Sequence, residues 1–381
     1  MRVHGLHLAF LGCYGNDWVA TPTIDRLAAE GIVFDQHLAD SLAPGPPTIW
    51  TGRYRFDFAH ATGGVGGMTP RLLRRLLQAG IPVCCARVTV ADLSSTAELF
   101  PKSDQTLLWL ETSLTLPQPD SGIGNDPSSG PDVPSPVMAE QPRRVGDGEE
   151  TDPLRRLQES YAAVVREFDA ALAGLVETLH RRCGDTIWVV VTAASGLGLG
   201  EHGFFFDERP WPHEELIHLA LIVRRPEAQA AGWRVASLTQ PIDWFPTLLE
   251  LFELSPVPSQ GQSLLPLLQG EEVAVRDLAV TALGRGGEIE WAVRTSDWAL
   301  ILPVRSDRRP QLYVKPEDRW EVNDVRQHHL EEAERLEEVL RRFAASTEAE
   351  AQEKSSAPTA AGPCDAQSAE AAASGGPPRC R

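Results

Sequence analysis

DTIWVVVTAASGLGLGEHG, residues Asp185–Gly203, contains five consecutive apolar residues, Ile187–Val191, most of them β-branched. Gly184-Asp185 bounds the run on one side and a string of small residues after Thr192 on the other. An unbroken apolar run of this length predicts a strand buried on both faces, as in a parallel sheet. Open α/β sheets place their chemistry in the loop that leaves the carboxyl end of such a strand. Here that loop begins Ala193-Ala194-Ser195, is rich in glycine (Gly196, Gly198, Gly200, Gly203) and carries Glu201-His202 near its end. It has the frame of an active site and few of the functional groups.

Elements of matching type lie on both sides. Thr21-Pro22-Thr23 opens a helix, with proline in the first turn and Ile24, Leu27, Ala28 and Ile32 at helical spacing. A short strand, Ile32–Phe34, follows, then a proline-rich loop, Leu42–Pro47, and the turn Thr51-Gly52-Arg53. Residues 70–79 predict an amphipathic helix, and Ile81–Ala86 and Thr106–Leu110 predict strands. Residues 153–182 return to a long helix, with Leu154, Leu157, Tyr161, Val165 and Phe168 among those on one face. Leu219–Val223 reads as a further strand and Trp244–Leu254 as a helix. Beyond Gly270 the texture changes to short strands, Ala279–Thr281, Glu290–Arg294, Trp298–Leu302 and Gln311–Val314, the pattern of a small antiparallel sheet closed by a helix over His329–Phe343. The expected organisation is a core over 1–270, interrupted by a low-complexity insertion at 117–152, a C-terminal α+β subdomain over 271–344, and a disordered tail over 345–381. The expected fold class is α/β: a largely parallel mixed sheet flanked by helices, with the small antiparallel sheet appended.

Composition narrows the partners. The 381 residues hold 35 Lys+Arg against 53 Asp+Glu, a net charge of −18, which argues against nucleic acid or an anionic membrane surface. The six cysteines form no metal-binding spacing. Cys84-Cys85 lies in an apolar stretch and reads as buried free thiols. No run of 18 apolar residues is present, and Met1-Arg2-Val3-His4 lacks a signal-peptide core, so the chain as written reads as cytoplasmic.

In order along the chain, these segments resemble the sulfatase family of the alkaline-phosphatase-like superfamily. Leu11–Phe34, LGCYGNDWVATPTIDRLAAEGIVF, resembles the family's N-terminal block, and Thr51-Gly52-Arg53 the close of its signature. Asp185–Gly203 is similar to DTLVVVTSDHGE-LGEHG, and His213–Pro226 to YEESLRVPLIVRxP. Ile242–Gly270 resembles a block of the form xDLxPTLLDLAGL and GxSLLPLLxG. Trp291–Trp298 and Gln311-Leu312-Tyr313 resemble segments of the C-terminal subdomain. The resemblance implies a formylglycine nucleophile made from a signature cysteine. It also implies a divalent cation such as calcium, held by carboxylates after the first strand and by an Asp-His or Asp-Asn pair after a later one. A hard cation in an oxygen cage would activate the nucleophile and neutralise developing charge.

Residue by residue, the family pattern is not met. The nucleophile position falls on Leu42, and the signature Ser-Arg on Gly45-Pro46. The first-strand carboxylate falls on His4, and the later metal pair on Ala194-Ser195. The stretch corresponding to GKWH is Arg87-Val88-Thr89-Val90. Glu201, His202 and Arg53 stand where the family has them, and each is expected to hold its loop rather than to act on a substrate. The expectation is therefore a non-catalytic sulfatase-like protein with no catalytic residue retained, no cofactor, and a binding or regulatory role, with a small anionic or sulfated ligand in the inherited cleft. The alternative is an active sulfate- or phosphate-ester hydrolase with a rebuilt site using Ser41 or His202, the serine being displaced by one residue from the expected spacing. The resemblance further implies an apolar strand ahead of His4 that Met1–Val3 is too short to supply. Either translation starts upstream, with room for an export signal, or the sheet has a vacancy.

Overall fold

In the computed structural model, residues 1–41, 47–54, 70–99, 105–116, 151–202, 212–285, 288–303 and 309–356 are described. The strands are β1 (Arg2–His4), β2 (Ile32–Phe34), β3 (Val83–Arg87), β4 (Leu107–Ser113), β5 (Val189–Ser195), β6 (Leu221–Arg224), β7 (Trp233–Val235), β8 (Ala279–Arg285), β9 (Glu288–Arg294), β10 (Trp298–Pro303) and β11 (Gln311–Val314). The helices are α1 (Pro22–Ala29), α2 (Thr48–Thr51), α3 (Arg71–Gln78), α4 (Thr151–Cys183), α5 (Glu214–Ile217), α6 (Trp244–Leu251), α7 (Leu265–Leu268) and α8 (Leu330–Ser356).

Seven strands form one sheet in the order β3-β4-β1-β5-β6-β2-β7. The β3-β4-β1-β5 segment is parallel, and β6 runs antiparallel to both β5 and β2. Apolar side chains bury both faces. On one, Val3, Leu110 and Val191 pack beneath Tyr161, Val165, Phe168 and Leu172 of α4 and Ile24 and Leu27 of α1. On the other, Phe34, Leu221 and Val223 meet Trp50 of α2, Leu72 and Leu76 of α3, and Phe245 and Leu249 of α6. The helical stripes read from the sequence are the ones that face the sheet. Where α1 meets α4, the buried carboxylate of Asp169 accepts hydrogen bonds from the Thr23 and Ile24 amides at 3.0 and 2.9 Å, capping the first turn of α1. The remaining strands, β8–β11, form an antiparallel sheet covered by Ala333, Leu336 and Leu340 of α8. This is the expected fold class, a mixed and mostly parallel sheet between helices with a small antiparallel sheet appended.

Four expectations need correction. The centre of the sheet has no vacancy: Arg2–His4 lies between β4 and β5, with Val3 fully buried and the Thr192 amide bonded to the Met1 carbonyl at 3.0 Å. Two parallel neighbours supply both sides of its ladder, so three residues suffice where a periodicity window sees too few. The β5 strand begins two residues later than expected and ends four later, and Trp188, Val189 and Val190 are only half-buried. Cys85 is exposed because β3 is an edge strand; Cys84 beside it is half-buried, and neither is joined in a disulfide. The last helix continues to Ser356, past the boundary placed at 344, while residues 357–381 and nearly all of the 117–152 insertion lie outside the described residues. Among the described residues, no helix is long and apolar enough to cross a membrane.

Candidate functional site

Chemistry in such a sheet belongs at the carboxyl ends of its central strands. There β1 and β5 lie side by side with His4 opposite Ser195, after a register shift between Val3 and His4. The Gly5 amide donates to the Ser195 hydroxyl at 3.3 Å. Ala193 and Ala194 are buried, so the strand end presents methyl groups where polar ligands would be needed. Across the other neighbours, the ladder aligns Arg2 with Glu111 on β4 and Glu111 with Arg87 on β3. Strand register alone thus brings two guanidiniums to one carboxylate.

That carboxylate is saturated. Glu111 accepts from Arg2 at 3.3 Å and from the Trp109 indole at 3.2 Å on one oxygen, and from Arg87 at 3.1 Å on the other. Burial works to raise its pKa, but the Arg2 charge and the bonds from Arg87 and Trp109 outweigh it, and Glu111 is held below the usual carboxylate range. Arg2 also reaches the His4 Nε2 at 3.4 Å. Burial, then the neighbouring Arg2 guanidinium, push His4 down to about 4, so its ring is neutral near pH 7. Asp40 lies near Arg2 and enters its electrostatics. Its carboxylate accepts from the Thr48 hydroxyl and from the Ile242 amide at 3.0 Å, and burial lifts it to about 6.

The divalent cation that the fold family implies does not fit these residues. His4, Ala194 and Ser195 offer one imidazole and one hydroxyl, whereas a hard ion requires several anionic or carbonyl oxygens. The guanidinium of Arg2 stands 3.4 Å from the only strong donor and would repel an added cation. Among the described residues no group of three or more His, Cys, Asp or Glu side chains is arranged to hold a metal.

The other sequence candidates are dispersed. Leu42, at the nucleophile position, lies outside the described residues. Ser41 forms a bridge with Ala282 of β8, beside Asp40. Arg53 follows the turn that closes α2, where Gly52 has φ +66° and a Cβ would stand 2.6 Å from the Phe245 ring; only glycine meets both demands. Glu201 is tied back into the loop: His7 approaches it at 3.0 Å through Nε2, and it accepts from the Leu199 amide at 2.6 Å. The Ala9 amide donates to His7 Nδ1, which leaves the proton on Nε2 to be given to Glu201.

His202 points away from the strand ends. Its Nδ1 meets Glu215 at 2.7 Å and its Nε2 the Glu321 carbonyl at 3.1 Å, with the ring stacked on His213 at 3.8 Å. Burial opposes its charge, but the bond and charge of Glu215 and the Glu321 carbonyl prevail and raise it to about 9. His213 in turn meets the Glu321 carboxylate at 2.8 Å. Glu214 pairs with Arg294 and with Lys315 at 3.1 Å, and Lys315 lies 3.2 Å from Glu321. All four of these last side chains are buried. The loop after β5 is therefore fastened to the C-terminal segment by the hydrogen bonds of His202 and His213 to Glu321, and α5, which follows it, by the ion pairs of Glu214. His4 and His202 have no partner in common among the described residues.

Sequence reading missed Arg2, Glu111 and the latch around Glu321. A charge closing an apolar run, as Glu111 closes TLLWL, was a usable signal. Its alignment with Arg2 and Arg87 depends on strand order, which the sequence does not display.

Comparison with known proteins places this geometry. Residues 123–254 match the family model described as Sulfatase, and residues 200–347 the model described as N-sulphoglucosamine sulphohydrolase, C-terminal. An N-acetylglucosamine-6-O-sulfatase of Bacteroides thetaiotaomicron is 29% identical over 177 residues, covering 43% of this chain and 31% of that protein. The aligned part is thus under a third of the relative. Human arylsulfatase H is 52% identical over 46 residues, 12% of this chain and 8% of that one. Among solved structures, a 2-O GAG sulfatase superimposes with a TM-score of 0.73 at 13% identity over 93% of each chain. The phosphonate monoester hydrolase of Agrobacterium radiobacter does so with a TM-score of 0.62 at 18% identity, over 92% of this chain and 95% of that one. The two family models overlap and together span residues 123–347, and the chain belongs to the sulfatase family, with its alkaline-phosphatase-like fold.

Proposed function

We propose that this chain is a non-catalytic sulfatase homologue that binds a small anionic or sulfated ligand in the inherited cleft and acts as a binding or regulatory module. The observation that carries the reading is the rim of β1 and β5, where His4, Ala194 and Ser195 stand in place of a carboxylate cage. With Leu42 at the nucleophile position in the sequence, the attacking group and the cation that would activate it are lost together. Useful ester hydrolysis needs at least ~8 kcal/mol of transition-state stabilisation, and among the described residues no nucleophile or general base is placed to supply it. The names of the matching proteins, an N-acetylglucosamine-6-O-sulfatase and a 2-O GAG sulfatase, favour a sulfated sugar as the ligand class.

The test is turnover of aryl sulfate and aryl phosphate by highly purified protein with Ca²⁺, Mg²⁺, Mn²⁺ or Zn²⁺. The expected result is no rate above background. Metal-dependent turnover abolished by Ser41→Ala or His202→Ala would establish the rebuilt hydrolase instead.

A further inference from the structure

We infer that the Arg2 guanidinium, held by Glu111, takes over the electrostatic role of the family's divalent cation, so that the cleft holds a tetrahedral oxyanion without metal. The inference rests on reading the rim as an anion cleft but is independent of whether the protein turns substrate over. A cation site needs converging oxygens, and the residues at the ligand positions provide none that are charged. The same place instead contains a fixed positive charge, 3.4 Å from His4 and carried by a side chain only 19% exposed.

Three features make that charge a built one. Arg2 and Arg87 belong to parallel strands on either side of β4, and the ladder fixes their spacing. Glu111 lies between them and orients both, with the Trp109 indole holding the carboxylate in place. Each guanidinium has five N–H donors in a planar fork, yet among the described residues Arg2 engages only one nitrogen, toward Glu111 and His4, and Arg87 only one, toward Glu111. The remaining donors suit an oxyanion, which accepts paired N–H groups from a guanidinium fork. Glu111 offsets one of the two charges. Asp40, the other carboxylate nearby, turns an oxygen to Thr48 and the Ile242 amide. A sulfate or phosphate group, free or in an ester, is the ligand chemistry that completes the site.

The experiment is titration calorimetry and thermal shift on the full chain in EDTA, with inorganic sulfate, inorganic phosphate and 4-nitrophenyl sulfate as probes, repeated with millimolar Ca²⁺. The expected result is oxyanion binding in EDTA, unchanged by Ca²⁺, and weakened about tenfold or more by Arg2→Gln and by Arg87→Gln. Arg87 is 60% exposed, so its variant remains folded and decides the matter if Arg2→Gln does not fold. Tighter binding of the ester than of the free ion would identify the ester as the ligand source; the reverse would identify the ion, and either upholds the site. Binding that requires Ca²⁺, or binding indifferent to both substitutions, overturns the inference. Absence of oxyanion binding in both conditions also overturns it and leaves the non-catalytic reading standing, whereas turnover in EDTA overturns that reading and leaves this one.

Discussion

Gly196 is the residue at which the loop after β5 is most tightly determined. A Cβ there would stand 1.8 Å from the Glu215 carbonyl oxygen and 3.2 Å from the Leu216 Cα, and the Gly196 amide donates to the Leu216 carbonyl at 2.9 Å. The obstacle is backbone, so no rotamer change relieves it. Gly196→Ala is expected to cost about 3 kcal/mol or more, at the upper end for overpacking, and to lower Tm by roughly 4 °C or more. Differential scanning calorimetry checks this, and an unchanged Tm would mean that the loop does not pack against α5 as described. At this scale the sequence was partly legible. Gly196 and the Ala194-Ser195 replacement could be read from a motif, because both are statements about one position. That Arg2 faces His4 could not, because Arg2 reaches it along a strand too short to register as one.

Elements were legible where their periodicity ran for several residues. The faces of α1 and α4, the all-apolar β2, the β4 run and the four short strands of the second sheet were all visible as pattern, whereas β1 and β7, of three residues each, include an arginine beside their few apolar residues. What pattern does not show is how elements are fastened. The loop ending at His202 illustrates this, being held to Glu215 and Glu321 by an imidazole whose two nitrogens both face acceptors. Such a ring carries its charge in the folded state. Its pKa is raised from 6.5 to about 9, so its contribution is present in full below about pH 6.5 and is lost as the pH rises through 9. Glu214 and Glu321 are depressed: burial opposes this, but Arg294 prevails at Glu214, and His213 and Lys315 at Glu321. Their contribution is present above about pH 4.5 and is lost at lower pH. His202→Gln is therefore expected to destabilise by about 1–3 kcal/mol between pH 5 and 6.5, with wild type and variant converging toward pH 10. Urea unfolding across that range reads the difference, and a gap independent of pH would exclude a charged His202 from the latch.

At the scale of the whole molecule, the two sheets meet through charge as well as apolar contact. Glu321, in the segment after β11, accepts from the Glu214 amide at 3.1 Å, meets His213 at 2.8 Å and lies within ion-pair distance of Lys315 and Arg294. Thr281 and Gln240 add hydrogen bonds to the Ala39 carbonyl, so β8 is stitched to the segment that precedes Ser41. A buried network of this kind is weak support for stability when intact and costly when one member is removed, because the partners remain buried and charged. Glu321→Gln keeps the shape and deletes one charge, leaving Arg294 and Lys315 facing Glu214 alone. The cost is expected to approach the 3–5 kcal/mol typical of a broken buried pair, at ~3 kcal/mol because the amide retains part of the hydrogen bonding. More telling is where that cost is felt. If the network couples the units, wild-type amides in β5 and in β9–β10 exchange hydrogen through the same global opening, whereas in the variant β9–β10 lose protection first and β5 keeps most of its own. Hydrogen exchange read by mass spectrometry on peptides covering 189–195 and 288–303 distinguishes the outcomes. Equal loss in both peptides would mean that the apolar interface, and not the ions, couples the sheets.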